Sequence, residues 1–277
     1  MTKSIKSIEK MAYDMRKRAL ELSMITDGNS HFGGGLSIID IMAVLYGSVM
    51  NYDSKNPSWN LRDRFILSKG HGVLGYYTAL EQAGFISKEQ LNTFQQDESD
   101  FGSHPVMKLD LGIEASNGSL GHGLGLGIGS LLAARRKKLD YKVYVLMGNG
   151  ECNEGSIWEG AMAANQYKLK NLVAIIDYNE LQSDGNSNNI MSMAGFEEKW
   201  SAFGWNVDVV DGHNIEDLQQ VFDKEYDNEK PRVIIAKTIK GRGVNFMEND
   251  NEWHHNKMSD SQYELALQSL GEMYDGI

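Results

Sequence analysis

The segment 143–185 reads VYVLMGNGECNEGSIWEGAMAANQYKLKNLVAIIDYNELQSDG. Within it, Gly148-Asn149-Gly150 follows one apolar run and Tyr178-Asn179 follows a second. Glycines after a strand let backbone N–H groups come close to a phosphate. A helix starting next adds free N–H groups and the positive end of its dipole to the same anion. Asn149 and Asn179 each carry an amide oxygen, a hard donor of the kind Mg2+ accepts beside phosphate oxygens. Between Gly150 and Asn179 lie 28 residues, room for one crossover helix and one strand. Two neighbouring strand ends would then each deliver an oxygen to one cation. The chemistry this points to is capture of a phosphate-bearing ligand together with a divalent metal.

Histidines form a second group. His31 in HFGGG, His71 in SKGHG, His104 in GSHP and His254 in EWHH sit among glycines or in loops, not on apolar stripes. Imidazole can donate to a developing oxyanion and exchange protons near neutral pH. Any one of them alone would more often be a satisfied structural residue. His213 has no such setting and is read as structural. Cys152 and Glu154 lie at the start of the expected crossover helix. A helix N-terminus lowers a thiol's pKa and favours a carboxylate, so each has both a functional and a structural reading.

Positioning these groups requires regular elements. Ile5, Ile8, Met11, Ala12, Met15 and Ala19 recur at spacings of three and four, which predicts an amphipathic helix over 5–22. Residues 36–48 are apolar nearly all round and predict a buried helix. Ser87 with Gln90, and Ser259 with Gln262, are capping-box patterns. The first opens a helix to about Phe94 and the second a terminal helix over 259–277. A Gly-rich helix is expected over 119–136, closing on Arg135, Arg136, Lys137 and Lys138, cations suited to a helix C-terminus. Strand-like runs are 143–147, 172–176, 207–210 and 233–236, separated by helical stretches near 154–168 and 214–224. Alternating strands and helices predict an α/β fold, a parallel β-sheet with helices on both faces, with functional residues at the C-terminal strand ends. No linker, repeat or low-complexity tract divides the chain, so 1–277 reads as a single domain.

Composition limits the function classes. The chain has 277 residues, 41% hydrophobic and 23% charged, with a formal net charge of −11. That charge argues against nonspecific nucleic-acid binding and against anionic membranes. It also means an anionic ligand must be met by local donors. With one cysteine, no intrachain disulfide can form. The N-terminus has no signal-peptide pattern and no uninterrupted apolar run of membrane length is read, so a cytoplasmic location is expected.

The segment 143–185 resembles the thiamine diphosphate motif, Gly-Asp-Gly followed 25 to 30 residues later by Asn. The surrounding words resemble the N-terminal part of transketolase, in particular the small subunit of its split bacterial form. SHFGGGLS (30–37), DRFILSKGHGVLGYYTAL (63–80), GSHPVMKLDLGIEASNGSLGHGLGLGIG (102–129) and TIKGRGVNFMENDNEWHH (238–255) follow the same pattern in order. The likeness spans nearly the whole chain.

The resemblance implies a thiamine-diphosphate-binding fold of the PP-domain type. It implies thiamine diphosphate and Mg2+ (or another divalent cation such as Ca2+ or Mn2+) as cofactors. The metal ligands would be Asn149, Asn179 and the backbone carbonyl of Leu181. The cofactor would contact His71, Gly118, Ser119, Leu120, Gly148, Gly150, Glu151, Asn179 and His254. The catalytic channel would be lined by His31, His71, His104 and His254. His122 stands where the family usually has glutamine, and His255 where it usually has glycine. Glu154 matches an acidic residue at a subunit contact, Cys152 becomes an incidental small residue, and the Gly-rich helix would pack at a dimer centre. Asn149 departs from the pattern, since aspartate is usual there, and the expected consequence is weaker metal binding that Glu151 or the diphosphate itself would offset.

The glutamate that activates the cofactor belongs, in transketolases, to a second domain. A partner, the C-terminal transketolase subunit, is therefore expected to supply it with the pyrimidine pocket, in an α2β2 heterotetramer acting on sugar phosphates. The expected activity is transfer of a two-carbon ketol unit between a ketose and an aldose. Two alternatives are a subunit of another thiamine diphosphate enzyme, such as a 2-oxo acid dehydrogenase, and a non-catalytic scaffold with a degenerate metal site.

Overall fold

Residues along the central strands alternate between two apolar layers, and this alternation builds the fold. In a computed structural model, which describes residues 3–227 and 229–274, five strands form one parallel sheet. They are β1 (Arg64–Leu67), β2 (Val143–Gly148), β3 (Leu172–Tyr178), β4 (Asn206–Asp211) and β5 (Arg232–Lys237), in the order β1-β2-β3-β5-β4. Leu146, Ile175 and Ile234 face one layer with Ile8, Met15 and Phe65. Val145, Ile176 and Ile235 face the other with Leu124, Ile157 and Trp200. A parallel sheet covered on both faces has such near-continuous apolar strands.

The N-terminal helix runs Ile5–Ile25 and buries Ile8, Met11, Ala12, Met15 and Ala19, the face expected from their spacing. Ser4 caps it by accepting from the Ser7 N–H. Both capping boxes form, at Ser87/Gln90 and Ser259/Gln262. The terminal helix is Asp260–Tyr274, and the last three positions of its expected span lie outside the described residues. The expected helices near 154–168 and 214–224 are Gly155–Gln166 and Ile215–Asp223.

Three expectations need correction. The buried helix at 36–48 is broken: Phe32–Leu36 ends early, Ile39–Val44 resumes, and a π-helical turn continues over Leu45–Val49. The helix opened by Ser87 is short, Lys88–Leu91, and turns carry the chain on to Phe94. The Gly-rich helix is Gly123–Lys137, with 119–122 in the turn before it. Close packing accounts for Gly127, where a Cβ would lie 2.7 Å from Val145, but Gly125 and Gly129 face open space. The strand β1 and the helices Val73–Ala83 and Phe196–Ala202 add to the elements expected from sequence.

The window Phe32–Val49 is apolar and long enough by composition to cross a membrane, yet 89% of it is buried inside the fold. Its Asp40 pairs with the buried Arg16 of the N-terminal helix, a contact that belongs to a protein core.

Candidate active site

Four strands end on the same side of the sheet, and the residues just past them converge. Ser68 and Lys69 follow β1, Asn149 follows β2, Asn179 follows β3, and Lys240 lies three residues past β5. Lys69, Asn149, Asn179 and Lys240 line a cavity of about 470 Å3 with His31, His71, His104 and His254. Ligands of open α/β sheets sit at such strand ends.

The turn after β2 is built by its own side chains. Asn149 is helical in backbone, and Gly150–Asn153 forms a single 3-10 turn before Gly155–Gln166 begins. The first N–H groups of such turns have no acceptor within the helix and can meet an incoming anion. Glu151 fixes the turn from below. Its carboxylate accepts from the Gly148 N–H at 3.1 Å, the Gly121 N–H at 2.9 Å and the Ser68 hydroxyl. That ties the ends of β1 and β2 and the turn before the Gly-rich helix into one unit. Burial raises the Glu151 carboxyl above its ordinary range, against these donors. A Cβ at Gly150 would sit 2.5 Å from Cγ of Gln182, so any larger residue there would displace that side chain.

Asn149 and Asn179 lie side by side. The Asn179 N–H donates to Asn149 Oδ1 at 3.2 Å, and Asn149 Nδ2 donates to Ser187 Oγ at 2.6 Å. Asn179 Oδ1 accepts from the Leu181 N–H at 3.1 Å, and its Nδ2 donates to Asp177 at 2.9 Å. Both asparagines and Leu181 line the cavity.

The imidazoles form a cluster in the same cavity. His31 stands with ring centroids 5.7 Å from His71, 5.8 Å from His104 and 5.7 Å from His254, and His71 lies 5.2 Å from His254. Burial, then His255, His254 and His104, push His31 down to about 3. Burial and then Lys240 push His254 down to about 4, and burial and then Lys69 hold His71 well below its usual value. Burial lowers His104 as well. The cluster is therefore neutral near pH 7, able both to donate and to accept. His254 Nδ1 is buried with no partner among the described residues, as is Gln182 Oε1.

Other sequence candidates divide. Gly118, Leu120, Gly148, Gly150, Glu151, Glu154, Asn179 and Leu181 line the cavity, whereas Ser119, His122 and His255 do not. His122 is exposed at the start of the Gly-rich helix. His255 is exposed and its ring lies 4.3 Å from that of His31. His213 is structural, as expected: Nδ1 bonds Asp40 at 2.7 Å and Nε2 accepts from the Ile239 N–H at 2.8 Å. Cys152 is fully buried, and burial pushes its thiol well above the ordinary value. That is the opposite of what a nucleophile needs.

Three cavity residues escaped the sequence reading. Asp177 is fully buried near the end of β3 and pairs with Lys69 while accepting from Ser37, Thr238 and Asn179. Lys240 is 2% exposed and its ammonium donates to two neutral oxygens, Gln182 O at 3.1 Å and Asn251 Oδ1 at 2.8 Å. Burial and then Lys69 push Lys240 down to about 8, which leaves it charged near pH 7. A buried ammonium with only neutral partners marks a place for an anion. Both lysines stand in glycine-rich words, SKGHG and IKGRG, the one signal that could have found them.

Backbone donors after a parallel strand, a buried ammonium hydrogen-bonded among the described residues to neutral oxygens, and neutral imidazoles around them define an α/β protein suited to an anionic, phosphate-bearing ligand at its strand ends. The family model described as transketolase, thiamine diphosphate binding domain, matches residues 9–275. The chain belongs to that family.

An apulose-4-phosphate transketolase subunit from Phocaeicola vulgatus is 43% identical over 269 residues, covering 97% of this chain and 95% of the relative. The 6-deoxy-6-sulfo-D-fructose transketolase subunit SqwG of a Clostridium species is 38% identical over 244 residues, 88% of this chain and 89% of the relative. Human transketolase is 37% identical over 244 residues, but that match covers only 39% of the human chain. Transketolase from Leishmania mexicana superposes with a TM-score of 0.88 at 28% identity, covering 98% of this chain and 42% of that one.

The donors present fit one implied cofactor better than the other. Gly148–Glu151, Lys240 and the unpartnered His254 Nδ1 suit a diphosphate and its neighbouring polar atoms. For Mg2+ the oxygen type is suitable, but neither Asn149 nor Asn179 supplies charge. Glu151 does not offset this, because both its carboxylate oxygens are engaged inside the protein.

Proposed function

We propose that this chain is the diphosphate-holding subunit of a thiamine-diphosphate-dependent transketolase that moves a two-carbon ketol unit from a ketose to an aldose. The observation that carries the reading is the pairing of two features in one cavity: the Gly148–Glu151 turn with Lys240, and the cluster of His31, His71, His104 and His254. Thiamine diphosphate, when bound, supplies the carbon centre that accepts and releases the two-carbon unit. Gly148, Gly150, Glu151 and Gly118 offer close approach to its diphosphate, with Leu120 beside them. Asn149, Asn179 and the Leu181 carbonyl are the ligands proposed for a weakly held Mg2+.

The imidazoles act on the sugar. His31, His104 and His254, neutral at physiological pH, hold hydroxyl and carbonyl oxygens and pass protons between them without adding a fixed charge. His71, partly buried beside Lys69, orients the phosphate side of the channel.

Two relatives of nearly this length are named as transketolase subunits, which supports a partner. We propose a C-terminal transketolase subunit in an α2β2 assembly, supplying the activating glutamate and the pyrimidine pocket. The names of those relatives, one for an apulose phosphate and one for a sulfonated deoxyfructose, support an anionic ketose as donor. The test is an assay of ketol transfer from a panel of ketose phosphates to short aldoses. The chain with its partner should form product, and the chain alone should form none. Turnover of 2-oxo acids in place of sugars, or full activity in the isolated chain, would reject the proposal.

A further inference from the structure

We propose that this chain captures the diphosphate without needing a divalent cation, because no carboxylate stands at position 149 and Lys240 supplies the positive charge. This rests on the thiamine diphosphate reading and goes beyond it.

A divalent ion in such a site does two things. It offsets the charge of the diphosphate, and it offsets the repulsion between the diphosphate and any carboxylate that ligates the ion. Asn149 removes the second need. Its amide is neutral, and both ends are already engaged, Nδ2 with Ser187 Oγ at 2.6 Å and Oδ1 with the Asn179 N–H at 3.2 Å. Asn179 is committed in the same way to Leu181 and Asp177.

The buried carboxylates of the cavity do not face the ligand alone. Asp177 is fully buried and ion-paired with Lys69. Glu151 is 3% exposed and accepts two backbone N–H groups and a hydroxyl. The other acidic lining residues, Glu154 and Asp184, are exposed at the rim.

Lys240 meets the first need. It is 2% exposed, lines the cavity, and among the described residues donates to neutral oxygens rather than to a carboxylate. An ammonium buried beside two neutral oxygens is under-compensated until an anion arrives. Its stem is held against Gly33, whose Cβ would lie 2.8 Å from Lys240 Cγ, so the charge is fixed in place. The cavity thus offers a diphosphate a second buried ammonium beside the Lys69–Asp177 pair, with neutral hydrogen-bond partners among the described residues, and no carboxylate at the metal position.

The experiment is calorimetric titration of thiamine diphosphate into the chain assembled with its partner subunit, at constant ionic strength, once with EDTA and once with excess MgCl2. The proposal expects dissociation constants that agree within about threefold. Asn149→Asp should restore the dependence, binding at least about 30-fold more weakly in EDTA than in MgCl2. Lys240→Met should lose about tenfold or more in EDTA, and Lys240→Arg should keep most of the affinity. Binding by the parent chain only when Mg2+ is present overturns the proposal and leaves the cofactor reading intact. Binding in neither condition overturns the cofactor reading itself. The parent and Asn149→Asp comparison decides the matter even if Lys240→Met does not fold.

Discussion

The backbone N–H of Asn179 donates to Oδ1 of Asn149 at 3.2 Å, a bond from the end of β3 to the end of β2. With Asn149 Nδ2 on Ser187, one side chain ties three segments of the cavity wall together. The position that the family pattern assigns to a metal ligand is thus also a structural joint.

Asn149→Ala should therefore loosen the wall. Both hydrogen bonds disappear and the Asn179 N–H loses its acceptor, a cost of about 1–3 kcal/mol for a buried group. A denaturant midpoint should fall accordingly, and thiamine diphosphate affinity should fall about tenfold. An unchanged midpoint would mean the two strand ends hold without the joint.

Asp40→Ala tests the buried ion pair under the N-terminal helix. Burial alone would raise the Asp40 carboxyl, but the fully buried Arg16 and His213 override it and hold it below the usual carboxylate range. Arg16 donates to Asp40 at 2.8 Å through Nη1 and pairs with it through Nη2. Removing the carboxylate strands a buried guanidinium, and stability should drop by about 3–5 kcal/mol. A lowered carboxyl pKa stabilises the fold above the unfolded-state value near pH 4, and that contribution fades as pH falls through the folded-state value. Equilibrium urea unfolding near neutral pH measures the first effect, and the same titration in acid the second.

Neutral imidazoles give a pH signature. His31 is pushed down to about 3 and His254 to about 4, burial being the first cause of each. Between about pH 7.5 and 5, their ring resonances in NMR should not titrate, whereas an ordinary histidine does so near 6.5. Below about pH 6.5 the unfolded chain takes up protons that these folded imidazoles refuse, so stability should decline as pH falls. Midpoints near 6.5 for both rings would contradict the cluster geometry.

The fold was largely readable because helical apolar spacing, short apolar runs and capping chemistry are local. Ser87 with Gln90 and Ser259 with Gln262 specify their boxes within four residues. The strand β1 was not readable, being four residues long between charged and glycine-rich neighbours. The break between Leu36 and Ile39 escaped because the apolar run is uniform there. The glycine turns and histidines stood out by type and context. Lys69, Asp177 and Lys240 did not, because charged residues look solvated in a sequence. Only the converging strand ends show that Asp177 pairs with Lys69 while Lys240 meets neutral oxygens alone. No motif surrounds His213, and its structural role comes from its bridge between Asp40 and the Ile239 N–H.

Whether the cavity beyond β2 and β3 holds a diphosphate is tested most directly by comparing thiamine diphosphate with unphosphorylated thiamine. In titration calorimetry of the chain assembled with its partner subunit, thiamine diphosphate should bind, and thiamine should bind at least about 100-fold more weakly, since the Gly148–Glu151 turn and Lys240 are suited to the phosphates. Equal affinity for the two compounds would contradict a diphosphate site.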